Sequence, residues 1–131
     1  MKTCTPDSAA VLLFNERREL LLLKRSPAAR WMPQKWGPPG GRLEAGEHWA
    51  DAAIRETYEE TALKICNLRL LSIDKHVALY FCKTFEGNVK IDFEHTEWAW
   101  VERSNLSTYD TVPRLKELYE LGMMYGNKEK N

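Results

Sequence analysis

The chain has 131 residues, enough for one hydrophobic core, so we expect a single domain over residues 1–131. Nineteen Lys and Arg balance nineteen Asp and Glu, and a formal net charge of zero excludes a global pull toward nucleic acid or a membrane surface. The three cysteines, Cys4, Cys66 and Cys82, are widely spaced, with no C-x-x-C and no zinc spacing, which excludes a disulfide scaffold and points to reduced thiols in a cytoplasmic protein.

No apolar run is long enough for a bilayer span, and the N-terminus lacks the apolar stretch of a signal peptide. The first elements are short and apolar. Ser8 to Phe14 and Glu19 to Lys24 read as strands joined by the polar turn Asn15 to Arg18, which together suggest a hairpin. Arg25 closes the second strand, either as a phosphate contact or as a solvated strand end. Ser26 to Lys35 is a loop rich in proline and aromatic residues. Trp31 and Trp36 can stack on a base or pack over the sheet edge, and packing is the preferred reading for Trp36.

Gly40 to Leu63 (GGRLEAGEHWADAAIRETYEETAL) is the most informative stretch. Gly40 and Gly41 lack side chains, so backbone groups can approach a metal or phosphate closely. His48 to Thr61 has helical composition. Ala50, Ala53, Ile54 and Thr57 are expected inward, Asp51 is expected to serve the first-turn amides, and Asp51–Arg55 forms an i,i+4 pair. Arg55 can also reach back to Glu47 and orient Glu56. Glu56, Glu59 and Glu60 share one helix face, where like charges cost about 0.2–0.5 kcal/mol per pair. A hard divalent cation with oxygen ligands, Mg²⁺ or Mn²⁺, would offset that repulsion. The plainer alternative is a solvated acidic face partly neutralised by arginine.

Asn67 to Asp74 and His76 to Lys83 read as strands, the second apolar on both faces and therefore central. Phe85 to Asn88 is a turn, and Val89 to Phe93 and Thr96 to Val101 are further strands. Trp98 and Trp100 alternate onto one face, where core packing is expected. Ser104 to Asp110 is a loop. Thr111 to Leu121 reads as a helix capped by Thr111 and ended by Gly122, and residues 126–131 as a disordered tail.

From Gly41 there are five residues to Glu47 and seven more to Arg55-Glu56, followed two residues later by Glu59-Glu60. This pattern resembles the Nudix box of the Nudix (MutT-like) hydrolases, and every charged position matches. Thr57 stands where the family has an aliphatic residue, Ala62 where it has glycine, and Pro38 where an aliphatic residue precedes Pro-Gly-Gly. An alanine forced into the left-handed conformation at a helix end costs roughly 1–2 kcal/mol, so a slightly altered helix exit is expected.

The resemblance implies an α/β/α sandwich around a mixed β-sheet. It implies Mg²⁺, with Mn²⁺ as a substitute, held by Glu59 and Glu60 with the Gly40 carbonyl assisting. Glu56 is either a further ligand or the general base, Arg55 is an orienting residue and Glu47 belongs to the catalytic set. An acidic residue at the start of a late strand completes the family's site. Glu97 is the first candidate and Glu94 its rival. Arg25, Trp31, Gly41 and Tyr80 are the expected substrate contacts. Tyr80, seventeen residues beyond Leu63, resembles a feature of diadenosine-polyphosphate hydrolases, whereas Leu79 stands where ADP-ribose hydrolases tend to have proline.

The expected reaction is hydrolysis of a phosphoanhydride in a nucleoside diphosphate derivative. A standard or oxidised nucleoside triphosphate, cleaved to monophosphate and pyrophosphate, is the first choice. A dinucleoside polyphosphate or nucleotide sugar is the second. A nucleotide-binding module without turnover and an acidic protein-docking helix are readings of other classes. Many family members form homodimers, but no stretch of this chain identifies such an interface.

Overall fold

The computed structural model describes residues 5–128. Nine strands and two α-helices follow one another in the order β1 (Ser8–Leu13), β2 (Leu20–Arg25), β3 (Trp36–Gly37), β4 (Gly40–Arg42), α1 (Trp49–Thr61), β5 (Lys64–Cys66), β6 (Arg69–Asp74), β7 (Val77–Cys82), β8 (Thr84–Glu86), β9 (His95–Val101) and α2 (Leu115–Lys128). One sheet runs β4-β1-β7-β6, with β1 and β7 parallel and the outer pairs antiparallel. A second runs β3-β2-β9, all antiparallel, and β5 pairs with β8.

Period-two alternation divides the apolar residues between two cores. Ala9, Val11 and Leu13 of β1, Leu21 and Leu23 of β2, and Ala78 and Tyr80 of β7 pack with Ala52, Ala53 and Leu63 from the α1 segment. Their neighbours Leu12, Leu20, Leu22, Leu79 and Phe81 pack with Leu115 and Tyr119 of α2. Near-continuous leucine runs are what strands covered on both faces require. The result is a mixed α/β sandwich with α1 on one side and α2 on the other.

β1 and β2 do not form the expected hairpin. The chain turns at Asn15, but only the Phe14–Leu20 bridge joins the two strands before they part into separate sheets. Antiparallel pairing with β4 occupies the edge of β1 that a hairpin partner would have used. Four short strands, β3, β4, β5 and β8, went unanticipated; β8 takes in the start of the expected Phe85 turn. No strand forms over residues 89–93. The final helix starts later and runs further than expected. Thr111 does not cap it, being bridged to Trp36. Gly122 does not end it: a Cβ there would lie 2.9 Å from the Phe14 ring, so this glycine lets α2 sit close on β1. The helix also covers part of the expected disordered tail, reaching Lys128; residues 129–131 and Cys4 lie outside the described residues. Trp98 is 42% exposed, so only Trp100 of the pair packs inward, stacked on Phe85. No helix among the described residues is long and apolar enough to cross a membrane.

Candidate active site

The site is built where α1 lies against β4. His48, in extended backbone, caps the helix: its Nδ1 accepts from the Ala50 amide at 3.1 Å, so the imidazole does what Asp51 was expected to do. Ala52, Ala53, Thr57, Glu60 and Thr61 form the buried stripe, and Ile54 is turned outward instead. The helix leaves through Ala62 at φ 64°, ψ 12°, with its N–H donating to the Tyr58 carbonyl. The left-handed exit is thus kept despite the alanine.

That stripe carries a glutamate into the interior. Glu60 is 5% exposed and its Oε1 accepts from the Gly40 amide at 3.0 Å. The contact from Gly40 to the carboxylates is therefore its N–H. A Cβ on Gly40 would lie 2.4 Å from the Ala9 carbonyl, and one on Gly41 only 2.5 Å from the Glu56 carboxyl carbon. Backbone closes the Gly40 position to any side chain, and a side chain at Gly41 would have to displace the Glu56 carboxylate.

Arg55 gathers the other carboxylates. Its Nε donates to Glu47 Oε2 at 2.8 Å and its Nη2 to Glu47 Oε1 at 2.9 Å, a two-pronged pair. Nη1 reaches Glu56 at 3.1 Å and Glu59 at 3.0 Å, and Nη2 also donates to the Arg42 carbonyl. The expected Asp51–Arg55 pair is replaced by these contacts. Glu47 further accepts from the Glu44 amide. The structure thus brings together Gly40, Gly41, Glu47, Arg55, Glu56, Glu59 and Glu60.

The electrostatics differ across this short distance. Hydrogen bonding from Arg55, reinforced by the Glu44 amide, holds the Glu47 carboxyl down at about 2. The Arg55 guanidinium is correspondingly raised, chiefly by Glu47. Glu56 is raised by burial, with Arg55 opposing. Glu60 is pushed up to about 9 by burial. The Gly40 amide opposes this, while the charges of Glu56, Asp92 and Glu94 add to it.

Glu97 stands apart from this cluster, paired with Lys24 at 3.3 Å across the β2–β9 ladder. Asp92 and Glu94 are the acids whose charges reach Glu60. Asp92 was missed; it lies in an irregular segment at no characteristic spacing from the box. It is fixed by His95, whose Nδ1 is 2.7 Å away. Tyr80 is 5% exposed, in the core beneath α1 and apart from the carboxylate cluster's hydrogen bonds. Arg25 and Trp31 are brought together. The Arg25 Nε donates to the Trp31 carbonyl at 2.7 Å and its guanidinium stands 5.3 Å from the ring centroid. Trp31 is 55% exposed. The Ser26 amide donates to the Glu94 carbonyl at 2.9 Å, joining the start of this loop to the Asp92–Glu94 segment.

Among the described residues, no three acidic, His or Cys side chains converge as a ready metal shell, because Arg55 holds Glu56 and Glu59. The donor chemistry nonetheless fits a hard cation. All the donors are carboxylate oxygens, and Glu60, disfavoured as an anion by burial, has no ion-pair partner among the described residues.

Comparison with known proteins agrees with this geometry. A NUDIX domain family model matches residues 5–121. The m7GpppN-mRNA hydrolase NUDT17 of Danio rerio is 45% identical over 56 residues, covering 43% of this chain and 19% of that protein. The human 8-oxo-dGDP phosphatase NUDT18 is 29% identical over 123 residues, covering 87% of this chain and 38% of that protein. The chain therefore spans about a fifth to two fifths of the length of these relatives. The solved structure of a C. elegans Ap4A hydrolase binary complex is 25% identical with a TM-score of 0.72, covering 92% of this chain and 98% of that one. With the matched domain spanning nearly the whole chain, and the box glutamates, Arg55 and the paired glycines assembled as one unit, the chain belongs to the Nudix family.

Proposed function

We propose that this protein is a Mg²⁺-dependent hydrolase that cleaves a phosphoanhydride bond in a nucleoside triphosphate, standard or oxidised, adding water to release the monophosphate and pyrophosphate. The observation that carries this reading is the buried Glu60 carboxyl, seated on the Gly40 amide beside Glu56 and lacking a cation partner among the described residues. Glu59 and Glu60 are the residues that would hold the metal, with Glu56 either a further ligand or the general base, and Mn²⁺ is a chemically suitable substitute. When bound, the metal polarises a phosphoryl oxygen and activates water for attack.

The remaining roles belong to the chain. In the role of base, Glu56 gives one oxygen to Arg55 Nη1 and has the other for the proton of the attacking water. Burial raises its basicity. Arg55, fixed by two hydrogen bonds to Glu47, positions Glu56 and Glu59. Gly41 lets the Glu56 carboxylate lie flat on the strand. Arg25 offers a cation for phosphate, and exposed Trp31 a face on which a base can stack.

The likeness to an Ap4A hydrolase structure supports a second reading, a dinucleoside polyphosphate cleaved by the same groups. The test is incubation with Mg²⁺ and a panel of nucleoside triphosphates, dinucleoside polyphosphates and nucleotide sugars, with products separated by chromatography. Metal-dependent monophosphate and pyrophosphate from a triphosphate is the expected result. Preferential cleavage of a dinucleoside polyphosphate would establish the second reading. Nucleotide binding without turnover would overturn both.

A further inference from the structure

A second chemically distinctive site lies at the other end of β2. The Asn15–Glu19 turn, the 3₁₀ segment Arg103–Thr108 and the first turns of α2 surround an open cavity of about 610 Å³. Arg17, Arg18, Arg103 and Lys116 line it against one acid, Glu102, over a floor formed by Leu106 and Tyr119. Arg103 is already paired with Glu120 at 2.6 Å. Arg17, Arg18 and Lys116 have no carboxylate partner among the described residues. In a chain of zero net charge, this is a concentration of unneutralised cations.

The turn that presents them is built rigidly. Asn15 Oδ1 accepts from the Arg17 amide at 3.0 Å and the Glu19 amide at 2.9 Å, and Asn15 Nδ2 ties up the Glu19 carboxylate at 2.8 Å. Arg18 takes a left-handed conformation, φ 61°, and its carbonyl accepts from the buried Tyr119 hydroxyl at 2.8 Å. That bond joins the turn to α2 and sets the backbone of the two arginines on the rim they share with Lys116. The six residues of β2 place about 17 Å between this end and the Arg25 end, so the cavity is separate from the carboxylate cluster.

We propose that this cavity is a second anion site that binds an oligophosphate group, either free pyrophosphate or the phosphate chain of a nucleotide. Three cations lining one cavity, with the Ser107 hydroxyl beside them, suit a compact ligand carrying several charges.

The probe is inorganic pyrophosphate, titrated calorimetrically into the whole protein in EDTA. We expect saturable one-to-one binding that weakens as salt rises. Arg17→Ala/Lys116→Ala should weaken it about tenfold or more, a loss of about 1.4 kcal/mol, while Arg17→Lys/Lys116→Arg retains it and Glu60→Gln leaves it unchanged. Circular dichroism confirms that each variant is folded. Tighter binding of a nucleoside triphosphate than of pyrophosphate would name the nucleotide as the source, and equal binding would name the free oligophosphate. The proposal falls if wild type shows no saturable binding, if the alanine variant binds like wild type, if Glu60→Gln abolishes binding, or if a single-stranded oligonucleotide binds far more tightly than either phosphate.

Discussion

Glu47 and Glu60 belong to one short segment of chain, yet their surroundings drive their carboxyls in opposite directions. Glu47 is clasped by Arg55 and held at about 2, whereas Glu60 is buried against a strand, with no cation partner among the described residues, and raised to about 9. The loop end of the segment is electrostatically satisfied by the protein alone. The helix end is not, and that difference marks where an external charge belongs. Pairs of titratable groups pushed apart by their environments are a recurrent sign of divided labour in active sites.

The strongest way to break the contrast is Glu60→Gln, which keeps the shape and the Gly40 hydrogen bond but removes the ionisable group. Turnover should fall by about 10²–10⁴-fold, with the circular dichroism spectrum unchanged. Full activity in this variant would remove Glu60 from the site. Next in size is Arg55→Ala, which frees Glu47, Glu56 and Glu59 together. Groups that orient ligands typically contribute about 10–100-fold, and a loss of that size in kcat is expected. An unaltered kcat would leave Arg55 a purely structural role. Trp31→Ala should act on KM alone, by about tenfold if a base stacks there, in line with stacking contributions of about 1–3 kcal/mol. An unchanged KM would assign the exposed indole no part in binding.

The smallest effects sharpen the contrast through pH. In metal-free protein, Glu60 binds its proton more tightly folded than unfolded. The stability associated with protonated Glu60 is therefore full below about pH 4.5 and lost as pH rises toward about 9. Glu47 runs the other way: its contribution is present above about pH 4.5 and lost as pH falls toward about 2. Thermal melts across pH should show Glu60→Gln flattening the alkaline limb and Glu47→Gln the acid one. Identical limbs in both variants would contradict the assigned environments.

Much of this contrast is legible in the sequence because helical spacing is a local rule. Glu56, Glu59 and Glu60 must share a face once residues 49–61 coil, and Arg55 is placed to reach Glu47. Other features depend on tertiary context. The charges of Asp92 and Glu94 reach Glu60 from an irregular segment, which no periodicity announces. The β1–β2 hairpin failed because adjacency in sequence says nothing about competition from a later strand, β4, that takes the same edge of β1. Gly122 resembles a helix stop until the Phe14 ring beside it explains the missing side chain. Trp98 and Trp100 alternate as a strand requires, but one lies outside the reach of the core.

The pairing of β1 also governs the order in which the site comes into being. Gly40 and Gly41 lie on β4, whose only strand partner among the described residues is β1, and β1 is held on its other side by β7. Contacts between distant parts of a chain form slowly, whereas a helix closes its own bonds locally. During synthesis, the box helix can therefore be complete while the glycine seat for its carboxylates is still loose. The second edge of β1 is filled only with Val77–Cys82, and a chain interrupted before that strand would carry every box residue with the strand behind its glycine seat unpaired on one side.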